Sequence, residues 1–366
     1  MLLAVDPDIT RARTPDPAFY ASEAAYAASR ERVFARTWQW IGDLADVGEP
    51  QALSPRTLLP GLLDEPLLLA RDGDGVLRCL SNVCTHRANL LVDAPCRTRE
   101  IRCRYHSRRF DLAGRMTFMP EFAGVADFPS PADDLPQVPL AQWMGHAFAS
   151  LAPARPCEAF FGDVAARMPW LDAARYRHDP SRDRDHAVDC HWALYVENYL
   201  EGFHIPFVHP GLSAVVDHAT YSTELFRYAS LQVARARPGE AAFAPQAGDG
   251  GAAIAAYYWF VFPNLMLNFY PWGLSLNLVE PQSVASTRVR FRSYVGDPAK
   301  LGAGAGAALD RVEAEDEAIV NAVQKGVRSR LYRGGRYSPT QERGVHHFHR
   351  LLAEFMVPES EGAPEC

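Results

Sequence analysis

The stretch Cys84-Thr-His86, followed after sixteen residues by Cys103-Arg-Tyr-His106, decides how the rest of the sequence is interpreted. Each stretch joins one cysteine to one histidine, with one residue between them in the first stretch and two in the second. Thiolate sulfur and imidazole nitrogen are ligands for zinc and for iron. The two stretches therefore indicate a metal site that is held by four side chains.

The mixed composition of each pair distinguishes two kinds of metal site. Zinc sites with two cysteines and two histidines usually separate the cysteines by roughly two to four residues and the histidines by roughly three to five. In a Rieske [2Fe-2S] centre two cysteines hold one iron and two histidines hold the other, so each mixed pair supplies one ligand to each iron. The pattern favours this cluster over a structural zinc loop, with ligands Cys84, His86, Cys103 and His106.

Short segments with the composition of strands flank both pairs. Residues 67–70 and 76–82 are separated by Asp72-Gly-Asp-Gly, a strong hairpin signal. Residues 101–103 and 108–112 flank the second pair, and a turn at 113–114 follows. The sequence thus predicts a small β-domain that carries the cluster at turns between strands.

The residues around both pairs resemble the Rieske domain of ring-hydroxylating-type non-haem iron oxygenases. The resemblance rests on Cys84-Thr-His86-Arg87 and Cys103-Arg-Tyr-His106-Ser-Arg-Arg-Phe110-Asp-Leu-Ala-Gly114, and the length of 366 residues is similar to that of the α subunit of these enzymes. Ala88 and Ser107 depart from the family pattern, which commonly has glycine at both positions. Because both residues are small, we expect tighter loops and a tuned potential, with the cluster retained.

A second candidate metal site lies in Glu197-Asn-Tyr-Leu-Glu201-Gly-Phe-His204-Ile-Pro-Phe-Val-His209. Two histidines and one carboxylate form the facial triad of non-haem Fe(II) oxygenases. On an ideal helix His204 and His209 would point about 140° apart. We expect Pro206 to break the helix and to let His209 turn back towards His204. The spacing also resembles the mononuclear-iron motif of the same oxygenases.

The third ligand is expected from a helix predicted over residues 309–330. Asp316 falls in the middle of its apolar stripe. Glu313 lies at the edge of the stripe and is the alternative ligand, whereas Glu315 and Glu317 lie about 100° to either side of Asp316 and are expected to face solvent. In the resembling family Glu-Asp is followed roughly eight residues later by Gln, and Gln324 matches this pattern. The stripe consists of Leu309, Val312, Ile319, Val320 and Val323.

The resemblance also implies a role for Glu201, which lies one helical turn before His204. In the family a carboxylate at this position, more often Asp, connects a ligand of the Rieske cluster to a ligand of the mononuclear iron across a subunit boundary. Electrons would then pass from His106 of one chain through Glu201 to His204 of the next. This route implies a ring of subunits, most often a homotrimer. A salt bridge on the helix surface is the alternative interpretation of Glu201.

The expected fold class is α+β: a Rieske β-domain, then an antiparallel sheet with a long C-terminal helix. The resemblance implies that this second part is a helix-grip (START-like) catalytic domain. Its strands are predicted near 257–262, 265–270, 274–279 and 288–295. We expect residues 1–40 to be an N-terminal helical segment that packs on the catalytic domain, 41–155 the Rieske domain, and 156–366 the mononuclear iron domain.

Composition argues against several other classes of protein. The net charge of −7 gives no support for nucleic-acid binding. No apolar run approaches the length of a membrane span, and the N-terminus shows no signal-peptide pattern, so we expect no membrane association and a cytoplasmic location. The seven cysteines are odd in number and lack a framework spacing, which agrees with a reducing compartment.

The resemblance implies the terminal oxygenase component of a multicomponent system, with a [2Fe-2S] Rieske cluster and mononuclear Fe(II) as cofactors. The component would use O2 to hydroxylate or demethylate a small organic substrate. An NAD(P)H-dependent reductase, with or without a ferredoxin, would supply the electrons, because no Gly-x-Gly-x-x-Gly fingerprint follows a strand here.

Segments 199–212 and 336–348 look closest to the branch of choline, carnitine and glycine-betaine monooxygenases. A quaternary ammonium or N-methyl substrate would be held in an aromatic cage by cation–π attraction. An oxygenase for an aromatic acid or a natural-product scaffold is the alternative. A Rieske electron carrier without oxygenase activity is the alternative of another class, although a carrier would need only the first domain. The candidate cage residues are Tyr257, Tyr258, Trp259, Phe260 and Phe269.

Overall fold

The computed structural model describes residues 3–357, which divide into two compact units. The first unit is Ala35–Ala154, and the second combines Met1–Phe34 with Arg155–Cys366. The N-terminal segment is therefore grouped with the C-terminal half of the chain, from which it is separated in sequence. The expected domain limits after residues 40 and 155 stay a prediction; the division into units falls after residues 34 and 154.

The unit Ala35–Ala154 consists of short antiparallel strands. One sheet has the order β1-β11-β10, a second has the order β5-β2-β3-β4-β9, and a third has the order β6-β7-β8. The strands are β1 Gln39–Asp43, β2 Ala52–Leu58, β3 Glu65–Arg71, β4 Leu77–Ser81, β5 Cys96–Arg97, β6 Ile101–Arg102, β7 Arg109–Phe110, β8 Met116–Phe118, β9 Gln137–Val138, β10 Leu140–Trp143 and β11 His146–Ala149.

Both cysteine–histidine pairs of this unit lie at turns, as the sequence predicts. The hairpin of β3 and β4 closes through the Asp72-Gly-Asp-Gly turn, where the Asp72 carboxylate accepts from the backbone N–H of Val76 at 2.9 Å. The second pair lies between β6 and β7. Leu80 and Phe110, both fully buried, pack in one apolar cluster with Cys84 and Cys103. The thiols are thus fixed by the core, while the turns carry the histidines.

The second unit is built on an eight-stranded antiparallel sheet. The strands follow the order β12-β19-β18-β17-β16-β15-β14, and β13 pairs with the same strand as β12. The four strands predicted from the aromatic and aliphatic runs are all present, and the α+β fold class is confirmed. The strands are β12 Arg177–His178, β13 Arg184–Val188, β14 Ser222–Leu225, β15 Ala229–Arg235, β16 Ile254–Val261, β17 Leu265–Tyr270, β18 Gly273–Ser283 and β19 Ser286–Val295.

Seven α-helices are described within residues 3–357, all of them in this unit. The helix predicted over 309–330 is present but ends earlier, at residue 326. The last helix, residues 343–356, was not predicted; its buried face includes Phe348, Leu352 and Phe355. The helices are α1 Glu23–Arg32, α2 Glu158–Arg167, α3 Trp192–Tyr199, α4 Ile205–Val208, α5 Pro210–Val215, α6 Leu309–Gly326 and α7 Arg343–Met356.

The N-terminal segment makes specific contacts within this unit. The Tyr20 hydroxyl donates to the carboxylate of Glu197 on α3 at 2.8 Å, and the Phe19 and His191 rings meet edge-to-face with centroids 5.2 Å apart. Ser29 of α1 lies against Met356 at the end of α7, at 3.7 Å. These contacts support α3, the helix that leads into the second candidate metal site.

None of the helices described in residues 3–357 combines the length and the apolar character that crossing a membrane requires.

The two positions that depart from the family's glycine pattern both adopt left-handed backbone conformations. Ala88 has φ of 54° and Ser107 has φ of 60°. A left-handed conformation costs a residue with a Cβ about 1–2 kcal/mol, whereas glycine adopts it freely. The physical reason for glycine at these positions is therefore local backbone geometry, and this chain carries some strain in both loops.

We predict that Ala88→Gly raises the free energy of unfolding of the unit Ala35–Ala154, the Rieske unit, by about 1 kcal/mol, because it relieves the left-handed strain at an exposed site. Urea unfolding, followed through the visible absorption of the cluster, measures this change. Ala113→Gly is the matched control in a neighbouring turn without a left-handed φ, and it should lower stability by about 0.5–1 kcal/mol. A loss of stability in Ala88→Gly similar to that of the control would contradict the assignment.

Candidate active site

The two cysteine–histidine loops of the Rieske unit have the same backbone geometry. The Cys84 N–H donates to the carbonyl of Asn89 at 2.9 Å, and the Ala88 N–H donates back to the Cys84 carbonyl at 3.0 Å. In the second loop Cys103 bonds to Arg108 at 2.8 Å, and Ser107 bonds back to Cys103 at 3.0 Å. The loops are therefore equivalent, each with its cysteine at the base and its histidine near the tip.

The four expected cluster ligands face each other in pairs. Cys84 and Cys103 are both buried, and burial, together with the neighbouring Cys103 thiol, raises the pKa of Cys84. The imidazoles of His86 and His106 lie with centroids 4.8 Å apart, and burial lowers the pKa of His86. Nδ1 of His106 is buried without a hydrogen-bond partner among the described residues. A thiol pair beside a pair of imidazoles, one with an unpartnered nitrogen, fits the donor set of a [2Fe-2S] Rieske cluster.

A buried arginine ties the two loops together. Arg108 is 2% exposed, and its guanidinium contacts the Asp133 carboxylate at 2.6 Å and the Thr85 hydroxyl at 2.9 Å. The Thr85 hydroxyl in turn donates to the Asp133 carbonyl at 2.7 Å. Because Thr85 lies between Cys84 and His86, this network holds the first loop in register with the second.

The segment that carries the second site is a broken helix, although the break differs from the one expected. Helix α3 ends at Tyr199, and His204 and His209 are the residues that flank the short helix α4. Pro206 lies in the first turn of α4, where a missing N–H costs nothing, so it starts a helix and does not break one. Gly202 lies in the break, where a Cβ would come within 2.6 Å of the Tyr221 ring. The break therefore lies before His204, and the Tyr221 ring packs against it where Gly202 leaves room.

The structure brings His204, His209 and Asp316 together. The two Nε2 atoms lie 3.1 Å apart, and one oxygen of Asp316 lies 3.1 Å from Nε2 of His209 and 3.5 Å from Nε2 of His204. Ligands bound side by side at about 2.1 Å from one metal ion are about 3 Å apart. The three atoms thus have the spacing of a facial triad, and these residues fit a mononuclear iron.

Each imidazole is oriented by its own carboxylate. Nδ1 of His204 contacts Glu201 at 2.6 Å, and Nδ1 of His209 contacts Glu315 at 2.8 Å. A carboxylate on Nδ1 places the proton there and leaves Nε2 free to bind a metal. Burial alone would lower the pKa of His209, but its contacts with Asp316 and Glu315 outweigh burial and raise it. The expectation that Glu315 faces solvent was wrong, because its carboxylate turns to His209.

The inward face of helix α6 agrees with the predicted apolar stripe only in part: Leu309, Val312 and Val320 lie on it. Ile319 and Val323, assigned to the buried stripe, are 39% and 41% exposed, whereas Glu313 is 5% exposed. Gln324 is also buried, and its amide oxygen accepts from the N–H of His191 at 2.7 Å, next to the start of α3. Two of the three buried residues of α6, Glu313 and Gln324, are polar, and hydrophobic periodicity could not identify them. The residues of α6 that are buried or line the cavity are Leu309, Val312, Glu313, Asp316, Val320 and Gln324.

A cavity opens beside the three candidate ligands. Of the five residues proposed for an aromatic cage, Tyr258 alone lines it. Tyr257 and Trp259 point to the other face of the sheet, because side chains alternate along β16, and Phe260 packs against Phe348. The lining aromatic residues that sequence reasoning missed come from several elements. Besides Tyr258, the tyrosines are Tyr195, Tyr199, Tyr221 and Tyr270, and the amide side chains are Asn198, Gln232, Asn268 and Asn277.

Hydrogen bonds fix the tyrosine rings of the cavity. The Tyr199 hydroxyl donates to Asn268 at 2.7 Å, and the Tyr221 hydroxyl donates to Gln232 at 3.2 Å. The rings of Tyr258 and Tyr270 meet edge-to-face with centroids 5.9 Å apart. Burial raises the pKa of Tyr199, Tyr221, Tyr258 and Tyr270, so the hydroxyls stay protonated and the rings neutral.

Two family models match the chain. The Rieske [2Fe-2S] domain matches residues 37–129, and the ring hydroxylating alpha subunit (catalytic domain) matches residues 170–358. The first contains both cysteine–histidine loops and the second contains the broken helix, α6 and the sheet. Each of the two matched regions contains one of the two candidate sets of metal ligands.

Relatives align along nearly the whole chain. The chloroplastic choline monooxygenase of Arabidopsis thaliana is 30% identical, over 95% of this chain and 84% of the relative. The carnitine monooxygenase oxygenase subunit of Escherichia coli K12 is 29% identical, over 92% of each. Among solved structures, a quaternary ammonium Rieske monooxygenase in complex with L-carnitine aligns with a TM-score of 0.76 and 21% identity, over 96% of this chain and 97% of that one. Naphthalene 1,2-dioxygenase from Rhodococcus aligns with a TM-score of 0.74 and 16% identity, over 95% of each.

Asp316→Ala is predicted to remove the mononuclear iron, since two neutral imidazoles without a carboxylate hold a divalent ion weakly. Total iron should fall from about three to about two per chain, with the visible spectrum of the cluster unchanged and turnover lost. Metal analysis and absorption spectroscopy measure both. Glu317→Ala is the control on the same helix; Glu317 pairs with His186 at 2.9 Å and should be dispensable for iron. Full iron content and turnover in Asp316→Ala would show that another carboxylate is the third ligand.

Proposed function

The chain belongs to the ring-hydroxylating Rieske oxygenases as an α subunit, and we propose that it oxidises a small quaternary ammonium or N-methyl compound. Membership of the family makes the protein the oxygenase component of a system that takes electrons from a reductase and uses O2. Its cofactors are a [2Fe-2S] Rieske cluster and a mononuclear iron. A match to the catalytic domain over residues 170–358 is not expected of a simple electron carrier.

The substrate proposal rests on the tyrosine side chains that line the cavity. Tyr199, Tyr221, Tyr258 and Tyr270 line the same space as His204. Neutral aromatic rings attract a cation without needing hydrogen-bond donors on it, and a trimethylammonium group has none. The names of the similar choline and carnitine monooxygenases point to the same class of substrate.

The side chains at the site hold the metal, orient its ligands or bind the substrate. When bound, the mononuclear iron supplies the chemistry of O2 activation and the cluster supplies single electrons. His204, His209 and Asp316 hold the metal, and Glu201 and Glu315 keep both Nδ1 atoms protonated. The hydrogen-bonded tyrosines bind the cation and orient it, so little reorganisation is needed when substrate enters.

We also propose that Glu201 lies on the electron route between subunits of a homotrimer. Within one chain its Oε1 contacts His204, and its other oxygen accepts from the backbone N–H groups of Phe203 and His204, which fixes the carboxylate at the start of α4. Sedimentation analysis tests the trimer. A cytoplasmic location is part of the same proposal; its support is that the six cysteines within residues 3–357 are free.

The main test is turnover by the iron-loaded protein with a surrogate reductase and NADH. The panel contains choline, carnitine, betaines, and methoxylated and unmethylated aromatic acids. We expect oxygen uptake coupled to product with a quaternary ammonium compound, and formaldehyde release tells whether the product arises by demethylation. Coupled turnover of aromatic acids alone would overturn the proposed substrate class and leave the family assignment in place.

Glu201→Gln is predicted to keep both metals, since the amide oxygen can still accept from His204, but to slow reoxidation of the reduced cluster by about 10- to 100-fold. Rapid mixing of reduced protein with O2 and substrate measures the rate. Glu315→Gln is the matched control, because it alters the carboxylate on the other imidazole. Equal slowing in both variants would show that Glu201 only positions His204.

A further inference from the structure

Apart from the two candidate histidine ligands, the charged side chains in the described lining of the cavity are all carboxyl groups. Apart from the candidate iron ligands and Glu201, the only charged type of side chain among its described lining residues is a carboxyl group, that of Glu313. The lining contains no arginine or lysine within the described chain. A ligand that carries a carboxylate would therefore find no cationic side chain to pair with, whereas a ligand that carries only positive charge would find a partner.

Glu313 has one oxygen satisfied and one oxygen free. The Tyr195 hydroxyl donates to its Oε2 at 2.7 Å, and Tyr195 also lines the cavity. Oε1 is buried and has no hydrogen-bond partner among residues 3–357, and the whole side chain is 5% exposed. A buried carboxyl oxygen without a partner is costly, and a bound ligand that interacts with the oxygen offsets this cost.

Within the described part of the chain, no arginine or lysine forms an ion pair with this carboxyl group. His186 lies close enough to share a metal ion with Glu313, but its imidazole is engaged by Glu317 at 2.9 Å. Burial raises the pKa of Glu313 to about 8, which is the response of a carboxyl group without a cation beside it. A cation bound next to the group would favour the ionised form.

We propose that Glu313 is the counter-ion of the substrate's cationic group and that the substrate is a monocation without a carboxylate, such as a trimethylammonium alcohol. This inference rests on the proposed function and narrows the proposed substrates to cations that carry no carboxylate. Zwitterions of the carnitine and betaine type are excluded because their carboxylate would be buried near Glu313 without a cationic partner.

The remaining polar groups of the cavity suit the neutral end of such a molecule. Asn277, Ser275 and Asn198 are uncharged and line the cavity, and the Ser275 hydroxyl already donates to Asn277 at 2.8 Å. Amide and hydroxyl groups can donate to and accept from an alcohol without the cost of burying a charge. The cavity thus offers a carboxyl group with tyrosines for the cation and neutral donors and acceptors for a hydroxyl.

Calorimetric titration of the iron-loaded protein, without reductase or O2, tests the proposal. The probes are choline, its neutral isostere dimethylbutanol (carbon replaces the nitrogen), L-carnitine and glycine betaine. In the unaltered protein we expect choline to bind at least about tenfold more tightly than the isostere and than either zwitterion. Glu313→Gln should reduce the preference for choline over the isostere by about 10- to 100-fold and should leave binding of the isostere itself within about twofold.

Asp310→Asn is the control, because it removes one negative charge from the same helix at an exposed position outside this cavity. It should keep the preference for choline. The ratio of two ligands on one sample does not depend on how much of a variant is folded, and iron content and the cluster spectrum check the fold separately.

Three outcomes would overturn the assignment of Glu313: equal binding of choline and its isostere, an unchanged preference in Glu313→Gln, or tighter binding of a zwitterion than of choline. In the last case turnover of that zwitterion would still support the proposed function. If no quaternary ammonium compound binds or is turned over, the proposed function itself fails and the role of Glu313 fails with it.

Discussion

The close approach of two imidazole nitrogens to one carboxylate oxygen is the constraint on which the second unit depends. Nε2 of His204 and Nε2 of His209 are 3.1 Å apart. Two neutral nitrogens with lone pairs directed at the same point repel each other unless a proton or a metal ion lies between them. The arrangement persists because Glu201 and Glu315 hold the far side of each ring. The positions of the two imidazoles and of their two carboxylate partners therefore favour the binding of a metal ion.

The two histidines can face each other because the helix that leads to them is broken. An unbroken helix through residues 199–209 would point the two histidines in different directions. Instead α3 stops at Tyr199, and the Gly202 backbone gives room to the Tyr221 ring. The same ring then lines the cavity. The break that aims the histidines therefore also helps to form the wall that would contact a substrate.

Helix α6 supplies the acidic half of the site from a distant part of the sequence. Asp316 meets the histidines, Glu315 orients His209, and Glu313 faces the cavity. Three carboxyl groups within four residues would repel one another on a solvent-exposed helix. Here each has a different partner, namely the candidate metal, an imidazole and a tyrosine hydroxyl. The buried polar face makes α6 a part of the active site as well as a packing element.

Much of the chemistry could be predicted from the sequence, because ligand type and spacing are local properties. The mixed Cys-His pairs identified the cluster, and the spacing of His204 and His209 with a later Glu-Asp pair indicated the second site, with the family resemblance. The sheet followed from runs of aromatic and aliphatic residues. The assignments to individual positions as ligands stay predictions, and the geometry is consistent with them.

Other features were decided only by the tertiary structure. Periodicity placed Ile319 and Val323 in the core and Glu315 in solvent, because it counts apolar residues and cannot detect a polar partner on another helix. The tyrosines of the cavity come from α3, β16, β17 and the segment before β14, so no single stretch of sequence contains the cage. The sequence by itself determined which metals this protein is equipped to bind. What surrounds them was decided by long-range packing, since burial, partner and direction of a side chain depend on elements that are far apart in the chain.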